Sequence, residues 1–166
     1  MVDYGMEYIA TNFIAISSTV TGAGAATKPS GTRVILWVPN KDFKESYDAM
    51  QKIKNMSLGM SYSNKDGKKK DGNIISTAYI IKHGAYGTNT EAFNAAVNQM
   101  RAFQKSGASP VYLLAANGID DKTICLSTTN AGVAVYYLKG YIKSFDWEID
   151  GNIYIIKNLS WQECSL

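Results

Sequence analysis

Histidine is almost missing from this chain: there is one, with two Cys and three Pro, in 166 residues. One His and no C-x-x-C spacing give no set of soft and imidazole ligands for a zinc site. His83 stands in KHGAYG ahead of a glycine turn, with neither a second ligand nor a Ser or Cys partner beside it. The G-x-S-x-G elbow and the H-E-x-x-H helix are absent. No apolar run approaches the roughly 20 residues of a spanning helix. Asp3 and Glu7 stand where a signal peptide would carry its basic region. Net charge is only +3, too little for the whole chain to attract nucleic acid. The expectation is a soluble protein made in a cytoplasm, with no catalytic site, no metal and no cofactor.

What is present describes a folded domain. The chain is 46% hydrophobic and 19% charged, too apolar for disorder. Its length suits one domain, 1–166, with a real core. Eleven Tyr favour strands and interfaces, because each pairs apolar area with a polar tip. Cys125 and Cys164 lie in apolar, strand-like contexts and read as buried thiols, with a disulfide open only if their strands are neighbours.

In the N-terminal half, residues 6–20 alternate loosely and read as an extended segment or a first strand. TGAGAATKPSG at 21–31 reads as a flexible glycine-rich loop; it lacks the G-x-x-x-x-G-K-[ST] spacing of a phosphate cradle. TRVILWV at 32–38 is a strand by its β-branched and apolar content. Asn40 then caps an expected helix over about 41–54, whose stripe is Phe43, Tyr47, Met50 and Ile53. Residues 56–63 and 73–82 read as two strands about NKDGKKKDG. That link, 64–72, holds two Asp-Gly turn signals and the most basic spot in the chain: Lys65, Lys68, Lys69 and Lys70. It is either a solvated hairpin tip or an arm that docks on an acidic neighbour.

The principal helix is expected at about 89–105. Thr88 and Glu91 form a capping box, Phe93, Val97, Met100 and Phe103 an apolar stripe, and Gly107 a C-terminal stop. Strands follow at 110–116, 122–128 and 133–149, the last bent at Gly140. Phe145, Trp147 and Ile149 share one face of it, expected to pack on the core, and Asp146 and Glu148 the other. Asp150-Gly151 turns the chain into a partner strand of matching length. There Ile153, Ile155, Leu159 and Trp161 are expected on one face, and Tyr154, Ile156, Asn158 and Ser160 on the other. The expected fold class is α+β. Its core is a twisted antiparallel β-sheet, sandwich or barrel-like, with one principal and one second helix.

Three segments carry a resemblance. TEAFNAAVNQMRAFQKSG leads into SPVYLLA; YYLKGYIKSFDWEIDG holds Gly140, Tyr141, Ile142, Ser144 and Phe145 in a Gly-Tyr-Ile-x-Ser-Phe pattern; NIYIIKNLSWQE closes on Gln162-Glu163. Residues 90–165 thereby resemble phage tail-tube-fold proteins: tail tube, tube initiator or baseplate members. The region 1–88 departs from the simplest tube subunits.

The resemblance implies a structural subunit of a virion tail or injection particle, assembled in the bacterial host cytoplasm. It implies self-association into a hexameric ring, contact with other tail or baseplate proteins, and DNA or an effector passing through the channel without specific binding. Asp146 and Glu148 would then face a lumen or an interface, and Lys65, Lys68, Lys69 and Lys70 would form an inter-subunit arm. The alternative from a different class is a small α+β binding module with a ligand groove between helix and sheet.

Overall fold

Hydrophobic runs of two kinds organise the chain: continuous ones, which suit strands buried on both faces, and alternating ones, which suit strands buried on one. The structure is a computed structural model that describes residues 12–38, 45–48, 53–56, 61–63, 71–82, 86–105, 108–117, 122–123, 127–128 and 134–164. Its elements are β1 (Asn12–Thr21), β2 (Lys28–Val38), β3 (Glu45–Asp48), β4 (Ile53–Met56), β5 (Ser61–Ser63), β6 (Asp71–Ile80), α1 (Asn89–Gln104), β7 (Val111–Asn117), β8 (Lys122–Thr123), β9 (Ser127–Thr128), β10 (Ala134–Val135), β11 (Leu138–Asp150) and β12 (Ile153–Glu163).

The fold is α+β, mostly antiparallel sheet with one α-helix among the described residues. Seven strands pair in the order β1-β2-β6-β12-β11-β7-β8, and β1 also pairs with β7, so β1 is hydrogen-bonded along both edges. Small separate sheets hold β3-β4-β5 and β9-β10.

The continuous runs FIAI and VILWV fall on β1 and β2 and are buried on both faces. Ile14, Ile16, Val34, Leu36 and Val38 join the main core with the helix. Phe13, Ala15, Ile35 and Trp37 form a second cluster, where the Phe13 ring meets the Trp37 ring edge-on at 5.4 Å.

The helix begins as its sequence dictates. The Glu91 N–H donates to Thr88 Oγ1 at 3.2 Å, while the Glu91 carboxylate accepts from the Gly87 N–H at 2.9 Å, one residue before the expected partner. Ala92, Phe93, Ala96, Val97, Met100 and Phe103 are buried against the sheet.

The glycine-rich segment is more ordered than expected. β2 begins at Lys28, so residues 28–31 belong to a strand, and a single 3-10 turn spans Gly24–Ala26. Thr27 is buried; its Oγ1 donates to the Gly24 carbonyl at 2.7 Å, and its own carbonyl accepts from Thr123 Oγ1. The β1–β2 register slips between Ser17 and Thr19. At this bulge Gly31 takes φ +70°, and a Cβ there would collide with Ser18 Oγ.

The second helix is not found. Glu45–Asp48 and Ile53–Met56 are antiparallel strands, with Tyr47 opposite Lys54 and Asp48 opposite Ile53. Of the helix-like spacing, Tyr47 falls on β3 and Ile53 on β4, while Phe43 and Met50 lie outside the described residues. Pairing with β5 completes a sheet that no local pattern announces. The hairpin expected between 56–63 and 73–82 is also redrawn: β5 pairs with β4, and β6 with β12 and β2. Asp71-Gly72, read as a turn, opens β6 opposite Gln162 and Trp161. The expected strand at 122–128 appears as β8 and β9, and that at 133–149 as β10 and β11. Lys65, Lys68, Lys69, Lys70, His83, Gly107 and Cys125 lie outside the described residues.

Candidate assembly surface

The β11–β12 hairpin pairs over almost its whole length, from Gly140 opposite Glu163 to Asp150 opposite Ile153. Its turn is Gly151-Asn152. Gly151 takes φ +59°, and Asn152 is not among the positive-φ residues, which fits the type II′ geometry that matches strand twist. The Asp-Gly signal therefore locates the turn correctly, with Asp150 as the last paired residue.

The near half of the hairpin is core. Leu138, Ile142, Leu159 and Trp161 are almost completely buried. Gly140 is confined: a Cβ there would run into the Gln162 carbonyl oxygen and lie 2.7 Å from Trp161 Nε1. Gly140 permits a close approach, with the indole lying over a residue that has no side chain. Ladder irregularities fall further along, between Ile142 and Asp146.

Across from them Asn158 takes φ +54°. This left-handed residue shifts the period-two pattern by one. Ile156, Leu159 and Trp161 consequently share one core cluster, although alternation alone separates Ile156 from the other two.

The far half is only partly covered: Ile155 and Ile156 stay buried. Phe145 and Tyr154 still pack against the core. Trp147 leans its ring on Phe93 at 5.7 Å, and Tyr154 lies 5.1 Å from the same ring. Thr90 Oγ1 and the Tyr154 hydroxyl share a hydrogen bond of 2.5 Å, tying the first turn of α1 to the hairpin. Beyond that support, Trp147, Ile149 and Ile153 are about half exposed, at 49%, 47% and 50%. Trp147 and Ile149 do occupy the expected face with Phe145, but α1 begins only at Asn89 and they remain about half exposed, Trp147 with one edge contact to Phe93. Trp147 and Ile149 share one face of the hairpin, and Ile153, opposite Asp150, lies on the other, so both faces near the turn expose a large apolar side chain.

Asp146 and Glu148 are exposed, as their alternation predicts, and each has a neighbour from β12. Asp146 accepts from the Asn158 amide at 3.1 Å, and Glu148 pairs with Lys157 Nζ at 2.6 Å. That hydrogen bond, and the nearby negative charge, hold the Lys157 ammonium above the usual lysine range. Sequence reading missed Lys157 because it sought one sign of charge on one strand; its cross-strand diagonal to Glu148 depends on the register.

On the other flank of α1, a groove of about 190 Å³ runs between the helix and β2. Ala92, Ala95, Ala96 and Gln99 line its helix side, and Thr32, Arg33, Val34 and Ile35 its strand side, with Tyr86 also in the lining. These four helix positions follow i, i+3, i+4, i+7, a single stripe on one side of the helix. No group of three His, Cys, Asp or Glu among the described residues is placed to hold a metal ion, and no helix there is long and apolar enough to cross a membrane. Comparisons with protein-family models, curated proteins and solved structures found no match.

Proposed function

We propose that this chain is a structural subunit that works by assembly, as a ring- or tube-forming component of a phage tail or phage-tail-like injection apparatus, with no catalytic role. The observation that carries the reading is the far half of the β11–β12 hairpin, where Trp147, Ile149 and Ile153 stand about half exposed on two long paired strands. In a monomer such a surface is a liability; in a ring it is covered by the next subunit. The resemblance of residues 90–165 to tail-tube-fold proteins supports the same reading. The additional β1–β7 pairing supports a barrel-like core.

On this reading six copies join through their sheets around a channel for DNA or an effector. Asp146 and Glu148 face the lumen, with Lys157 moderating their charge, and other tail or baseplate proteins stack above and below. Lys65, Lys68, Lys69 and Lys70 form an inter-subunit arm. Its test is deletion of 65–70, which spares Asp71 and Gly72 in β6; unimpaired polymerisation counts against the arm. Asp146→Lys with Glu148→Lys separates lumen from interface: rings that persist but pass DNA more slowly support a lumen. Rings that fail to form make this face an interface.

The reading as a whole is tested by size-exclusion chromatography and negative-stain imaging of the purified chain, alone and with tail components as template. Rings or tubes are expected. A particle of 18.2 kDa that stays so at high concentration and on the template overturns it.

One observation favours the second reading, a binding module: the groove between α1 and β2. Its volume lies well below the roughly 300–1,000 Å³ of small-molecule sites, so it suits a side chain better than a free ligand.

A further inference from the structure

The far half of β11 is an open edge. On the side away from β12, β11 pairs with β7 only from Leu138 to Gly140. The Lys143 carbonyl accepts from the Gln104 amide at 2.8 Å. From Ser144 to Asp150 no described strand pairs on that side, so every second residue directs its N–H and C=O outward. We propose that this edge accepts, as an added strand, a segment of another protein in which basic and apolar residues alternate. The inference rests on the assembly reading to this extent: it takes the far half as a contact surface and names a partner for it other than a further copy.

The two faces of the edge differ. Phe145, Trp147 and Ile149 lie on the helix side, where Trp147 meets Phe93. Asp146, Glu148 and Asp150 alternate with them on the other side and are exposed. Lys157 stands one strand further in and pairs with Glu148. Lys82 stands two strands in, just beyond β6, its N–H held by Asn89 at the start of α1. Between Ser144 and Asp150 the outermost strand itself carries no cation, and Asp150 has no ion pair among the described residues.

A strand added here meets both faces at once. It sets alternate side chains beside the carboxylates and the intervening ones beside Phe145, Trp147 and Ile149. Lys or Arg at the first positions and apolar residues at the second are the complement. Backbone hydrogen bonds then supply the affinity and the alternation supplies the specificity.

The same carboxylates argue against a second copy of β11 as the occupant. Two antiparallel copies related by a two-fold axis set carboxylates directly opposite each other in every register centred between Asp146 and Asp150, which is destabilising. Charge on an edge strand is one of the means by which proteins prevent such pairing. No other described strand of this chain fits either, because none carries basic residues at alternate positions. A different protein is the occupant that remains.

The test uses the full chain and three labelled peptides of about nine residues. The first alternates Lys with Val and Thr. The second has the same composition in blocks, and the third is the first with alternate backbone amides N-methylated. Fluorescence anisotropy is expected to show the first binding about tenfold tighter than either of the others. Amide hydrogen exchange within Ser144–Asp150 is expected to slow when the first is added. Asp146→Asn with Glu148→Gln, with unchanged circular dichroism, is expected to weaken that binding about tenfold. Equal binding of the first and second peptides reports attraction of charge alone and overturns the inference. Exchange that slows there as the chain alone is concentrated overturns it in favour of a second copy. Rings that form under either of these outcomes leave the assembly reading standing. Selective binding of the first peptide by a chain that fails to assemble on a template removes the ring and keeps the added strand.

Discussion

The two halves of the β11–β12 hairpin have the same alternating sequence and opposite fates. Near the base, Ile142, Leu159 and Trp161 are buried beneath the helix; toward the turn, Trp147, Ile149 and Ile153 are about half exposed. Nothing in the strand pattern separates them. Alternation says which side chains share a face, and a face is buried only where another element lies over it. Here α1 begins at Asn89, its first turn held to the hairpin by Thr90 and Tyr154, and the strands continue past it. The near half is therefore core, whereas the far half keeps Ile155 and Ile156 buried and leaves Trp147, Ile149 and Ile153 about half exposed.

The comparison breaks most readily at its buried end. Trp161→Ala is expected to cost about 4 kcal/mol, as large aromatic truncations in cores do, read as a lower urea midpoint. Should the loss be under about 1 kcal/mol, the base of the hairpin is not the core that its burial implies. Gly140→Ala comes next, at about 3 kcal/mol, because the new methyl meets the Gln162 carbonyl and the Trp161 ring, neither of which can retreat. A melting temperature that falls by roughly 10 °C would record it.

Trp147→Ala lies at the other end of the contrast. It removes a half-exposed ring and one edge contact with Phe93, and about 1 kcal/mol of stability is expected to go with it. The three tryptophans give a sharper readout. Trp37 and Trp161 are buried and Trp147 is not, so Trp147→Phe is expected to abolish most acrylamide quenching of the dispersed protein. Quenching that survives the change would show that the buried pair is reached by solvent.

The smallest effect belongs to Lys157. Its pKa is raised in the fold, so any stability from its pairing with Glu148 is fully present below the ordinary lysine value and is lost as pH rises through the raised one. Both partners are exposed and the pair is screened by salt. Lys157→Met is accordingly expected to leave the urea midpoint unchanged at neutral pH in 0.15 M salt. A clear shift there would move this pair from ornament to support of the far half.

What could be read in advance follows from range. The Asp150-Gly151 turn, the Thr88–Glu91 cap and the strand at 110–116 rest on neighbouring residues, and each appears in the fold. The glycine-rich segment misled because small residues look alike whether they form a loop or a bulge; Gly31 is needed for its backbone angle beside Ser18, not for flexibility. The expected helix at 41–54 failed for a related reason. Strands as short as β3 and β4 hold too few residues for alternation to register, and their existence depends on pairing with each other and with β5. Of the candidate surface, Asp146, Glu148 and the facing of Trp147 were legible. The groove was not, because it needs β2 and α1, far apart in sequence, brought side by side.

Asn158 gives the hairpin a property that neither strand has alone. One residue in a left-handed conformation advances the pattern by a half-period, so the strand beyond it is out of phase with the strand before. Such a slip also bends and twists the ribbon. A single backbone angle thereby aims the far end of the hairpin, much as a wrist aims a hand. Substitutions at the tip alter what is presented, whereas a β-branched residue at 158, which resists that angle, would alter where it points while leaving every contact residue in place.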